Sequence, residues 1–164
     1  MSDLDTIRDL FRHMEWADAT VWRTVPADLM DERLRTVLHH YHLTQRAFLS
    51  VWRNGPMEFM KLETFPTNAA LAQWAREYHA DVKPFVDTID EVSLSEPVHM
   101  PWAERFAGRV PGPVTLRDTL HQVVAHSTYH RGQANARLRE LGTTPPLVDY
   151  IAWIWHERPA AEWP

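Results

Sequence analysis

The 164-residue chain contains no cysteine, only 5 glycines and 2 lysines, and no apolar run longer than a few residues. Without cysteine there is no disulfide scaffold, no thiolate zinc site and no cysteine nucleophile, and the redox compartment stays undetermined. The scarcity of lysine leaves 15 arginines scattered among 22 acidic residues, for a net charge of −5 with neutral histidines. That balance speaks against a nucleic-acid partner. Short apolar runs exclude a membrane-spanning helix. The acidic start MSDLDTIRDL has no basic segment leading into an apolar one, so no signal peptide is expected and the cytoplasm is the default location. Against these absences stand 45% hydrophobic residues, 10 histidines and 8 tryptophans. The chain is long enough to bury a core as one domain over residues 1–164, and rich enough in imidazole to raise the question of a metal.

Turn signals separate several helical stretches. Leu4, Ile7, Phe11, Met14, Val21 and Val25 recur at helical spacing until Pro26 closes the series. A second stretch runs from about Met30 to Arg53 and is expected to stop at Asn54-Gly55-Pro56, with Gly55 as the C-terminal cap. A third begins near Thr67 and carries Leu71, Trp74, Tyr78, Val82, Phe85 and Ile89, with Pro84 predicting a kink or an early end. From Glu91 to Val114 the period disappears, and prolines leave room for no more than a short hairpin. Thr115 and Asp118 form a capping-box pattern ahead of a long helix that Gly142 ends, and a short apolar helix is expected between Pro145 and His156. The expected class is all-α: a four-helix bundle with a short C-terminal helix and an irregular segment before the fourth long helix.

The segment HQVVAHSTYHRGQ places His126 and His130 four residues apart in that fourth helix. At 3.6 residues per turn they stack on one face, where two imidazoles reach one ion about 2.0–2.1 Å from each nitrogen. His121 lies nine residues before His130, about half a turn away in phase, and is excluded as a solvated residue. The third ligand is sought in LHHYHLTQRAFLSVW of the second helix. With His40 as the reference, Val37, Thr44, Ala47, Phe48 and Val51 fall within about 80°, which marks the His40 face as inward. His39 is the reserve, and His42 is expected to point away. Three inward imidazoles from two helices would be costly if they had no shared partner.

Asp18 breaks the apolar series of the first helix. A buried carboxylate needs a partner, and two readings stand level: it orients a ligating histidine, or it pairs with an arginine such as Arg131. Arg131 and Gln133 lie at least a quarter turn off the His126–His130 line and are read as structural. Most aromatics at helical spacing belong to the core. Trp102 and Phe106 before the ligand helix, and Trp153 and Trp155 after it, are the ones placed to wall a pocket.

Taken with FRHMEWAD in the first helix, His40 followed eight residues later by Phe48, and HxxxHRGQ with TPPLVDY downstream, the chain resembles the DinB/YfiT-like superfamily of metal-dependent helical proteins over nearly its whole length. The resemblance implies a four-helix bundle with an open three-histidine site carried onto His40, His126 and His130. It departs at position 18, where members often have asparagine. Relatives include transferases and isomerases that use low-molecular-weight thiols such as mycothiol or bacillithiol, and the resemblance allows a homodimer.

Three neutral nitrogen ligands leave coordination positions open, the mark of a catalytic rather than a structural metal. Zinc is the leading ion, with nickel, iron or manganese also compatible with imidazole. The first functional expectation is a metal-dependent S-transferase using a small thiol, or a hydrolase, acting on a small-molecule substrate. The alternative is a stress-related metal or small-molecule binding protein without turnover.

Overall fold

Local signals decide where the helices start and stop. The computed structural model describes residues 2–164. Helix α1 (Asp3–Thr24) starts at a capping box made by Ser2 and Asp5, and α2 (Glu32–Trp52) starts where the Asp31 side chain accepts from the Leu34 amide. Helix α3 (Asn68–Thr88) is capped by Thr67, and the long α5 (Leu116–Glu140) by the reciprocal Thr115–Asp118 pair expected from the sequence. In each case a side-chain oxygen satisfies an amide that the first helical turn leaves free. Two short helices complete the set, α4 (Ala103–Ala107) and α6 (Tyr150–Trp155).

Three local expectations need correction, in whole or in part. Asn54, not Gly55, takes the left-handed conformation after α2, with φ 50°; asparagine tolerates that region, so the following glycine is not needed for it. Gly142, with φ 83°, does so after α5 as expected. Of the two outcomes expected at Pro84, a kink or an early end, the early end does not occur: α3 continues to Thr88, because proline removes only its own amide bond to the preceding turn. Residues 91–114 form no strand: a single antiparallel bridge, Pro97 with Thr115, is all that the hairpin amounts to among the described residues.

Helix α5 packs most extensively on α2 and then on α1, while α3 closes the other side of α1 and α2. One apolar cluster, including Phe11, Met14, Phe48, Trp52, Tyr78, Val82 and Leu120, fills the end of the bundle beneath residues 98–102. A second, including Val21, Leu34, Leu38, Tyr41, Leu71, Trp74 and Leu138, fills the opposite end. Between the two clusters lies a belt of buried polar side chains, and the histidine cluster sits on the α2–α5 face at that level. Among the described residues no helix is long and apolar enough to cross a membrane.

Candidate metal centre

Helix α5 carries His126 and His130 one turn apart, and its close packing on α2 brings His40 against both. The ring centroids are 4.3 Å apart for His126 and His130, 4.5 Å for His40 and His130, and 5.2 Å for His40 and His126. One nitrogen from each ring lies within 4.8 Å of the others, so the three could hold a metal ion. Around a tetrahedral ion the nitrogens would stand about 3.4 Å apart, which lies inside that bound.

The chemistry of the donors fits a cation. Burial, then the neighbouring His130 and His40, pushes the His126 pKa down to about 4. Partial desolvation at the groove edge, then His130 and His39, also lowers that of His40. Both rings are therefore neutral near pH 7 and offer lone pairs. His130 donates from Nδ1 to Gln133 Oε1 at 2.7 Å, which leaves its Nε2 free to ligate. His126 Nδ1 is buried with no hydrogen-bond partner, an unsatisfied atom of the kind that marks functional sites.

His40 joins the cluster without lying on the core face of α2, contrary to expectation. His40 is exposed at the edge of the α2–α5 groove, and His126 and His130 are half-buried. The face of α2 that enters the core carries Leu34, Leu38, Tyr41, His42, Gln45, Phe48, Leu49 and Trp52. His42, expected to point away, is fully buried. Val37, Ala47 and Val51 misled the assignment because they are only half-buried flank residues. His39 is occupied elsewhere: its Nε2 donates to the Met60 carbonyl at 2.8 Å and its ring stacks on Trp74. His121 is exposed, as expected.

The buried belt beneath the cluster has a determined hydrogen-bond order. Trp22 Nε1–H donates to His42 Nε2 at 2.9 Å, so the His42 proton sits on Nδ1 and is donated to Gln45 Oε1 at 2.8 Å. Gln45 Nε2 donates in turn to Asp18 Oδ2 at 2.9 Å and to Ser127 Oγ at 3.0 Å. Arg131 Nη1 donates to Asp18 Oδ1 at 2.6 Å and His79 Nε2 to Oδ2 at 3.0 Å. Burial alone would raise the Asp18 pKa, but the Arg131 guanidinium and the His79 hydrogen bond outweigh it and hold the carboxyl below its usual range. Of the two readings of Asp18 the arginine pair is the observed one, and no hydrogen bond joins the carboxylate to the three clustered histidines. Because His42, Ser127 and Arg131 lie within two residues of His40, His126 and His130, the belt ties the backbone carrying the cluster to α1 and α3.

His79, Gln45 and the Gln133 contact were missed. The i, i+3 spacing of His130 and Gln133 was the available signal, since a long side chain reaches back over one turn. Trp102 and Phe106 do line a cavity of about 1060 Å³ beside His40 and His126. Trp153 is instead buried between α1 and α6, donating to the Pro159 carbonyl, and Trp155 is exposed outside the cavity.

No curated protein matches the chain. The family model described as DinB matches residues 1–162, a span that holds all four long helices and every histidine of the cluster, and the chain belongs to the DinB family.

Proposed function

We propose that the protein is a divalent-metal enzyme, with zinc the expected ion, that transfers a low-molecular-weight thiol to an electrophilic small molecule. The observation that carries this reading is the convergence of three imidazoles, of which His40 and His126, both with lowered pKa, line an open cavity. His40, His126 and His130 bind the ion, and Gln133 orients His130 by accepting its Nδ1 proton. A divalent ion in that position supplies a Lewis acid that lowers the pKa of a thiol on its open side. The chain has no cysteine, so the sulfur arrives with a substrate.

The cavity favours transfer over hydrolysis. Asp118 is the one carboxylate that lines it, and Asp118 is engaged in the α5 cap by the Thr115 amide and hydroxyl. Water needs a general base more than a thiol does, because a coordinating thiol loses its proton outright. With an alkyl halide as acceptor, the sulfur–carbon bond forms, the carbon–halogen bond breaks, halide leaves with the electron pair and the thiol proton passes to solvent.

Elemental analysis of the purified protein tests the first step. Wild type should carry about one equivalent of metal, and His126→Ala and His130→Ala should each lose it. Cobalt-substituted protein should then change its visible spectrum on addition of bacillithiol or cysteine and consume an alkyl halide. A spectral change without consumption would assign the site to binding alone, and metal-free wild type would overturn the reading.

A further inference from the structure

The cavity beside His40 and His126 is larger than the few hundred Å³ that suffice for many small ligands, at about 1060 Å³. Its walls are apolar: Leu43, Phe48, Phe59, Met100, Trp102 and Phe106 all face it. Phe48 is buried in the core and its ring meets Trp102 edge-on at 5.5 Å, so the inner wall is built on packed residues. The outer residues differ. Phe59 is 59% exposed and Phe106 82% exposed, two large aromatic rings of the lining left to water.

The polar groups along the walls are mostly committed within the protein. Thr44 donates to the His40 carbonyl, and Thr119 donates to the Leu116 carbonyl while accepting from Trp52 Nε1. Asp118 serves the α5 cap. Gln122 and Arg105 are left to recognise a ligand, and Arg105 is the one cation in the lining. A nucleotide or sugar phosphate would bring several negative charges to a wall with a single guanidinium. An elongated apolar molecule would cover the exposed rings and demand little hydrogen bonding.

Resting on the metal reading above, we propose that the acceptor substrate is an elongated apolar molecule, a medium-chain alkyl or aryl electrophile. Its reacting end lies at His40 and His126, and its body lies along Phe48, Met100 and Trp102 under Phe59 and Phe106. The apolar walls set chain-length specificity, and the histidine cluster marks the end of the cavity where the head reacts.

Calorimetric titration of the cobalt-loaded full chain with acetohydroxamate and octanohydroxamate separates head from body. Each fully covered methylene should tighten binding about fourfold, so with roughly half of the extra methylenes covered the longer probe should bind on the order of 100-fold more tightly, with a negative heat-capacity change. Phe106→Ser, at a residue outside the core, and Trp102→Ala should each cut that ratio by roughly tenfold. The first variant serves if the second fails to fold. A ratio near one in a protein that binds acetohydroxamate overturns the proposal and leaves the metal reading intact. If no cobalt is taken up, the metal reading fails and octanoate titrated against the metal-free chain decides the groove: uptake weakened by Phe106→Ser supports an apolar occupant, and no uptake refutes it. Self-association that Phe106→Ser abolishes, with no chain-length effect, would give this face to a second copy of the chain and likewise overturn the proposal.

Discussion

Replacing Arg131 by methionine keeps most of the side-chain volume and removes the charge, and the structure indicates what that should cost. Asp18 has no exposed surface and Arg131 is 2% exposed, with 2.6 Å between Nη1 and Oδ1. After Arg131→Met, Asp18 keeps the Gln45 and His79 donors but loses its guanidinium partner. Stranding one member of a buried pair costs about 3–5 kcal/mol. With a urea slope of about 2 kcal/mol/M, the unfolding midpoint should fall by roughly 2 M. Asp18→Asn strands the arginine instead and should be similarly costly. The double variant, having no unpaired charge, should lose at least about 1.5 kcal/mol less than the sum of the two. The deficit of Arg131→Met should also shrink as the pH falls from 8 to 5. Without the guanidinium the folded carboxyl is raised above its unfolded value, so the folded state binds more protons and gains stability on acidification. Urea denaturation of the four proteins at both pH values is the assay. A cost below about 1 kcal/mol for Arg131→Met, or additive costs in the double variant, would refute the view that the two charges compensate one another in the core.

Two other consequences are open to measurement. Gln133→Ala removes the acceptor that orients His130 from an exposed position, so competition with a chromophoric chelator should show metal binding weakened about 10–100-fold with the melting temperature of the metal-free protein nearly unchanged. For His42, burial lowers the folded pKa to about 4 and the Trp22 N–H occupies the nitrogen that would accept a proton. The unfolded chain, with a pKa near 6.5, therefore binds more protons between these values: stability from this group is complete above pH 6.5 and lost on descent to pH 4, to a total of about 3 kcal/mol. Urea midpoints across that range read the loss, and an NMR titration of the His42 ring with a midpoint near 6.5 in the folded protein would contradict it.

Most bounds of the long helices were readable because they depend on neighbours in the chain. The Thr115–Asp118 cap and Gly142 act within one turn of themselves, as do Pro26 and the His126–His130 spacing, and no distant residue alters them. The bundle class followed from the same local repeats. The inward face of α2 did not. Three histidines in four residues of α2 compete for three environments, and periodicity counted Val37, Ala47 and Val51 as core markers although they flank the groove.

Which imidazole is buried depends on what other helices bring to it. Trp22 and Gln45 supply His42 with one donor and one acceptor, so the core admits it as a neutral ring. His40 remains at the surface because α5 presents His126 and His130 there rather than apolar side chains. Asp18 is the same case: its partners Arg131 and His79 lie 113 and 61 residues away along the chain. The amino-acid sequence by itself determined the long helices, the Thr115–Asp118 cap, the Gly142 stop and the i, i+4 histidine pair, since these follow from the geometry of a single turn. Only the tertiary structure decided which charges compensate each other and which rings meet, because desolvation and pairing are properties of surfaces contributed by separate helices.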